Sequence, residues 1–121
     1  MMAQSLLLIS RQSPWSGPGA REALDIVLAG GAFDLPIGLL FLDDGVHQLL
    51  PGQNAKVVQQ KDLSANLQAL PMFGVEDLFV CADSAAERGV DTDALALAEL
   101  KVLTAPDITA LIDRYDQVIT L

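Results

Sequence analysis

Short apolar runs at residues 5–10, 36–42 and 77–81 constrain this chain more than any other feature. Ser5-Leu6-Leu7-Leu8-Ile9-Ser10, Pro36-Ile37-Gly38-Leu39-Leu40-Phe41-Leu42 and Asp77-Leu78-Phe79-Val80-Cys81 are too short for ordinary helices, and their apolar residues do not alternate with polar ones. A strand with one face in water alternates, whereas a strand covered on both faces reads as an unbroken run. The three segments therefore predict parallel strands inside a layered α/β domain. Residues 97–103 supply a fourth strand, in Ala-rich sequence that equally suits a helix, and Gln117-Val118-Ile119-Thr120-Leu121 a fifth.

Between the runs lie helix formers. Residues 20–28 carry Ala20, Leu24, Val27 and Leu28 on one stripe, and Gly30-Gly31 closes that helix. Residues 82–88 form a short helix with Gly89 as its C-cap. Thr104 is placed to cap a helix running to Arg114, with Pro106 in the first turn and Asp107 near the positive end of the dipole. Softer signals are a helical turn over residues 46–52, broken by Pro51, and a helix over 62–72, interrupted by Pro71. Strands alternating with helices require crossovers that cover both faces of the sheet. The expectation is one α/β domain over residues 1–121: three layers, α/β/α, around a five-stranded, mostly parallel sheet in flavodoxin-like order.

Charge limits the partners. Seven Lys and Arg stand against 16 Asp and Glu, a formal net charge of -9, and gripping a nucleic acid depends on neutralising its phosphates with cations. Direct nucleic-acid binding and attraction to anionic membranes are both disfavoured. No apolar run reaches the ~18 residues of a membrane span and no signal peptide opens the chain, so a cytoplasmic location is expected. Mean hydropathy is nevertheless +0.38, high for so small a domain, which points to apolar surface buried against other subunits.

In parallel α/β sheets chemistry gathers beyond the carboxyl ends of the strands. The loop after the first strand carries Ser10, Ser13 and Ser16 with Gly17 and Gly19, a phosphate-cradling pattern in outline, and Trp15 offers a ring to stack on a flavin or to fill an interface. Glu22 stands where a dinucleotide fingerprint needs glycine, and no P-loop lysine follows, so no cofactor is assigned. Asp43-Asp44 after the second strand has the composition of a Mg²⁺ site, but it lacks the companion Asp and Lys of a phosphoacceptor and reads as a solvated turn; no metal is assigned. His47 is the only histidine and has no Ser or Cys nearby in sequence. Cys81, the only cysteine, ends a strand just before a helix, where free N–H groups favour a thiolate able to attack sulfane sulfur. Asp83 opposes that charge, and a lone buried thiol also serves as a small hydrophobe.

Several of these segments together resemble the TusC/DsrF-type subunits of the DsrE/DsrF/DsrH sulfur-relay family. The matching stretches are Arg21-Glu22-Ala23-Leu24-Asp25, Asp44-Gly45-Val46-His47-Gln48-Leu49-Leu50-Pro51-Gly52-Gln53, Val80-Cys81-Ala82-Asp83-Ser84, Glu87-Arg88-Gly89 and Tyr115-Asp116. The resemblance implies a cytoplasmic heterohexamer with TusB-like and TusD-like subunits. Such an assembly takes persulfide sulfur from a TusA-like donor and hands it to a TusE-like acceptor, for 2-thiouridine formation at the tRNA wobble position or, in relatives, for sulfur oxidation. It implies a scaffold subunit, not catalytic alone. Cys81, with Arg88 and Gly89 at carrier-type spacing, is the candidate for direct persulfide carriage, and Arg88 the electrostatic aid; Glu87 replaces the arginine expected there, which weakens the thiolate. A flavin or nucleotide module is the third reading. Trp15, Val46, His47, Leu49, Leu50, Met72 and Phe73 are the candidate interface residues, since Trp, Phe and Met are enriched in interface cores.

Overall fold

The computed structural model describes residues 5–12, 19–33, 36–49, 69–73, 75, 77–90 and 100–121. The apolar runs become strands β1 (Leu6–Ser10), β2 (Ile37–Phe41) and β3 (Asp77–Cys81), joined by β4 (Lys101–Leu103) and β5 (Gln117–Thr120). Three helices are present among the described residues: α1 (Gly19–Ala32), α2 (Ala82–Glu87) and α3 (Ala105–Arg114); Asp43–Leu49 and Leu70–Phe73 form 3₁₀ turns. The expected turn over 46–52 thus starts earlier, at Asp43. Of the helix expected over 62–72, residues 62–68 lie outside the described part of the chain, as do residues 97–99 of the fourth strand.

The five strands form one all-parallel sheet in the order β4-β3-β2-β1-β5. Class and strand number agree with expectation, whereas the order does not. A flavodoxin-like sheet sets β1 between β2 and β3; here β1 lies between β2 and β5. The reason is the direction of the crossovers. Right-handed connections that step the same way across a sheet all fall on one face, and a step in the opposite direction falls on the other. The steps from β1 to β4 run one way, and α1 and α2 accordingly share a face: Ala23, Leu24, Val27, Leu70 and Ala85 cluster with Leu8, Leu39, Phe41, Leu78 and Val80. The single return, from β4 to β5, puts α3 on the opposite face, where Ile108 and Leu111 meet Leu7, Ile9, Leu40, Phe79 and Cys81. Alternate residues of β1, β2 and β3 feed the two clusters, which is why polar residues do not alternate with apolar ones along those runs.

Capping follows the local chemistry. Thr104 precedes α3, and Asp107 Oδ2 accepts from both the Thr104 hydroxyl, at 2.9 Å, and its backbone N–H, at 3.4 Å. Gly89 adopts φ 66° just past α2, the left-handed conformation that glycine enters at no steric cost. One glycine signal read differently: Gly30 and Gly31 lie inside α1 and do not end it. Gly30 is buried against β2, and a Cβ there would stand 2.9 Å from Ile37 Cδ1, so the glycine serves close helix–sheet approach. The last strand is pinned at its entry. Asp116 Oδ2 accepts from the Ser5 backbone N–H at 2.8 Å, and the Asp116 N–H donates to Ser5 Oγ at 3.0 Å, tying the segment after α3 to the start of β1.

Two close approaches generate predictions. Gly45, in the turn after β2, packs directly on the Ser10 carbonyl, and a Cβ would collide with that backbone carbonyl. Gly45→Ala therefore destabilises the protein by about 1–3 kcal/mol, read as a fall in the urea midpoint at constant slope. Tyr115, the only tyrosine, lays its phenol over Gly38 of β2. Burial, reinforced by the Asp77 carboxylate, raises its pKa above the usual 10.0. The neutral phenol is thus the form favoured by folding: this stabilisation is complete below pH 10 and is lost as pH rises through the folded-state value. Ultraviolet titration reads this one phenol alone, and its midpoint will move down to the ordinary value in denaturant.

Candidate functional site

The carboxyl ends of β1, β2 and β3 are drawn together by side chains from three successive connections. Ser10 ends β1 buried, and its carbonyl accepts the Leu42 N–H at 3.1 Å. Gln48, 4% exposed, reaches back so that Nε2 donates to Ser10 Oγ at 2.7 Å and to the Gln12 carbonyl at 2.9 Å. A buried amide is costly unless its donors are used, so this pair fastens the Asp43–Leu49 turn to the start of the first loop. Asp43 takes a positive φ of 51°, which Asp tolerates better than most residues.

The acidic pair splits between two arginines. Arg11 Nε donates to Asp43 Oδ2 at 2.7 Å, and Arg88 Nε donates to Asp44 Oδ1 at 2.8 Å. The Arg88 hydrogen bond holds the Asp44 carboxyl below the ordinary carboxylate range, and Asp44 in turn raises Arg88. Asp43 also presents its backbone N–H to Ser84 Oγ at 2.9 Å, linking the turn to α2. Each carboxylate already faces a cation, and no group of three or more His, Cys, Asp or Glu side chains arranged for a metal occurs among the described residues.

Cys81 ends β3 and is the N-cap of α2, with Sγ accepting the Ser84 backbone N–H at 3.4 Å. The thiol is only 5% exposed and sits in the α3-side cluster with Phe79, Ile108 and Leu111. Arg88 is drawn to Asp44, the neighbouring Glu87 and the Ser84 carbonyl. The site residues read from sequence therefore converge on one end of the sheet, but with Arg88 bonded to Asp44 and Cys81 packed in the core.

Among the expected interface residues, Val46 is corrected. It is 0% exposed and packs with Leu8, Phe41 and Val80, because a 3₁₀ turn bound so closely to β1 points this side chain into the sheet. His47 is half-buried and Met72 is 88% exposed. Trp15 and Leu50 lie outside the described residues, as do the side chains of Leu49 and Phe73, and so do residues 13–18 of the proposed flavin or nucleotide loop. Sequence reasoning did not single out the roles of Gln48 and Ser84. Ser84 was within reach, being three residues past the cap where an N3 position falls; Gln48 was not, since its partners are 36 and 38 residues away. Phe33, 79% exposed just beyond α1, was also missed.

A protein TusC homolog of Pseudomonas aeruginosa is 68% identical over 120 residues, covering 99% of this chain and all of the relative. Protein TusC of Klebsiella pneumoniae is 32% identical over 111 residues, 92% of this chain and 93% of that one. The crystal structure of the YchN protein from E. coli has the same fold, with a TM-score of 0.79 at 19% identity over 98% of this chain and 99% of that chain. The DsrE/DsrF-like family model matches residues 4–121; with its parallel five-stranded sheet and near-complete coverage by TusC relatives, the chain belongs to the DsrE/DsrF-like family.

Proposed function

We propose that this chain is a scaffold subunit of a TusBCD-type sulfur-transfer assembly, a cytoplasmic heterohexamer relaying persulfide sulfur for 2-thiouridine formation at the tRNA wobble position. Its partners on this reading are TusB-like and TusD-like subunits, with TusA-like donor and TusE-like acceptor proteins acting through the complex. Family membership and TusC-named relatives support the sulfur-relay role. The observation that carries the scaffold assignment is the packing of Cys81. Persulfide transfer needs a thiolate to attack the terminal sulfur of a donor persulfide, forming a new S–S bond while the donor thiolate departs. A sulfur 5% exposed among Phe79, Ile108 and Leu111 has little room for that approach. Arg88, bonded to Asp44, is committed elsewhere. The net charge of -9 fits a subunit that meets tRNA only through others.

Apolar surface is available for assembly. Met72 and Phe33 are the most exposed large apolar side chains among the described residues, and their segments, Leu70–Phe73 and the end of α1, lie on the same side of the sheet. Met and Phe suit interface cores.

A second reading keeps Cys81 as a direct carrier, favoured by the Ser84 N–H placed on its sulfur, an arrangement that stabilises thiolate and persulfide anions alike. Two measurements separate the readings. Affinity purification of the tagged full-length chain from its own cells will return two homologous α/β subunits in equal amounts; recovery of the chain alone overturns the assembly. Incubation of that complex with a persulfide donor, followed by intact-mass analysis, will leave this chain unmodified while a sister subunit gains sulfur. A one-sulfur adduct on this chain, abolished by Cys81→Ser, would transfer the carrier role to Cys81.

A further inference from the structure

On the α3-covered face of the sheet, reaching from the amino ends of the strands to Leu103, the register partner of Cys81, lies a cleft of about 440 Å³. Ser5, Pro36, Asp77 and Lys101 stand at the amino ends of β1 to β4, and Leu111, Arg114 and Tyr115 come from the last turn of α3 and the residue after it. Its inner wall is apolar: Phe79 and Leu111 belong to the α3-side core, and Leu103 packs against it. Its rim is cationic. That combination, in a volume of small-molecule size, is what ligand sites share.

The cations distinguish this cleft from the rest of the surface. Among the described residues Arg11, Arg21 and Arg88 are each bound to a carboxylate within 3.2 Å. Arg114 has no ion pair among the described residues, and Lys101 has only Asp77 at 3.9 Å, with its ammonium 5.4 Å from the Phe79 ring centroid. In a chain of net charge -9, an arginine without an ion pair among the described residues and a lysine in only a long one, both beside apolar walls, favour an anion. Asp77 and the negative end of the α3 dipole face the same space, which restricts the site to a single negative charge.

We propose that this cleft binds a small amphiphilic monoanion, a flat aromatic body with one carboxylate or sulfonate. The ring lies against Phe79, Leu103 and Leu111, and the acid group bridges Lys101 and Arg114. The site is separate from the sulfur-relay reading and independent of it.

Naphthalene-2-sulfonate is the probe, titrated into the full-length chain by calorimetry while the near-ultraviolet absorbance of Tyr115 is followed. Saturable one-to-one binding that perturbs the tyrosine band is expected. Lys101→Gln and Arg114→Gln, both at exposed side chains, will each weaken it about tenfold, as loss of one charge-assisted contact does. The uncharged 2-naphthalenemethanol will bind at least about tenfold more weakly. Absence of saturation, equal binding of the neutral analogue, or binding unchanged in both variants would overturn the site, with far-ultraviolet circular dichroism confirming that the variants are folded.

Discussion

The contact between Gly45 and the Ser10 carbonyl sets the geometry of the sheet's functional end. β1 and β2 run parallel with both faces covered, so the chain leaving β2 has to turn within the space directly beyond its neighbour. Leu42 donates to the Ser10 carbonyl, and the following 3₁₀ turn lies on the same carbonyl through a residue without a side chain. That closeness lets Val46 reach the core and Gln48 reach Ser10 Oγ. The Asp-Gly-Val-x-Gln block thus has one physical rationale: acid to meet an arginine, glycine to approach, valine to pack, glutamine to lock.

From this junction the network spreads to α2. Asp43 holds Ser84 through its N–H, Asp44 holds Arg88, and Ser84 gives its own N–H to Cys81. The thiol is therefore linked to the turn after β2 by a short chain of hydrogen bonds and a shared helix. Its burial, by contrast, comes from the other face. Cys81 points toward the side covered by α3, and α3 is there because the last crossover runs against the direction of the earlier ones. The same placement opens the cleft beneath α3, where its last turn stands above the starts of the strands.

Much of this was readable in one dimension. The strands at 6–10, 37–41 and 77–81 were legible because burial on both faces leaves no polar position to blur the pattern. The Thr104 cap and the Gly89 stop were legible because capping is decided within four residues. Gly30-Gly31 was misread as a helix end, because the same residue type also permits close helix–sheet packing and only Ile37, brought by β2, distinguishes the two. Val46 was misplaced for a related reason: an apolar residue in a turn is surface or core according to what the turn lies on.

What the sequence determined by itself was the local and compositional layer: the α/β class, the position of most elements, the isolation of a single cysteine, and a strongly acidic net charge. These follow from periodicity, propensity and charge, which act over a few residues or over the whole composition. The tertiary structure alone decided the strand order, the pairing of Asp43 and Asp44 with Arg11 and Arg88, the burial of Cys81 and the gathering of Lys101 and Arg114 around one cleft. Each of these depends on which residues distant in the chain become neighbours, and that is settled by the handedness and direction of the crossovers, quantities no local pattern encodes.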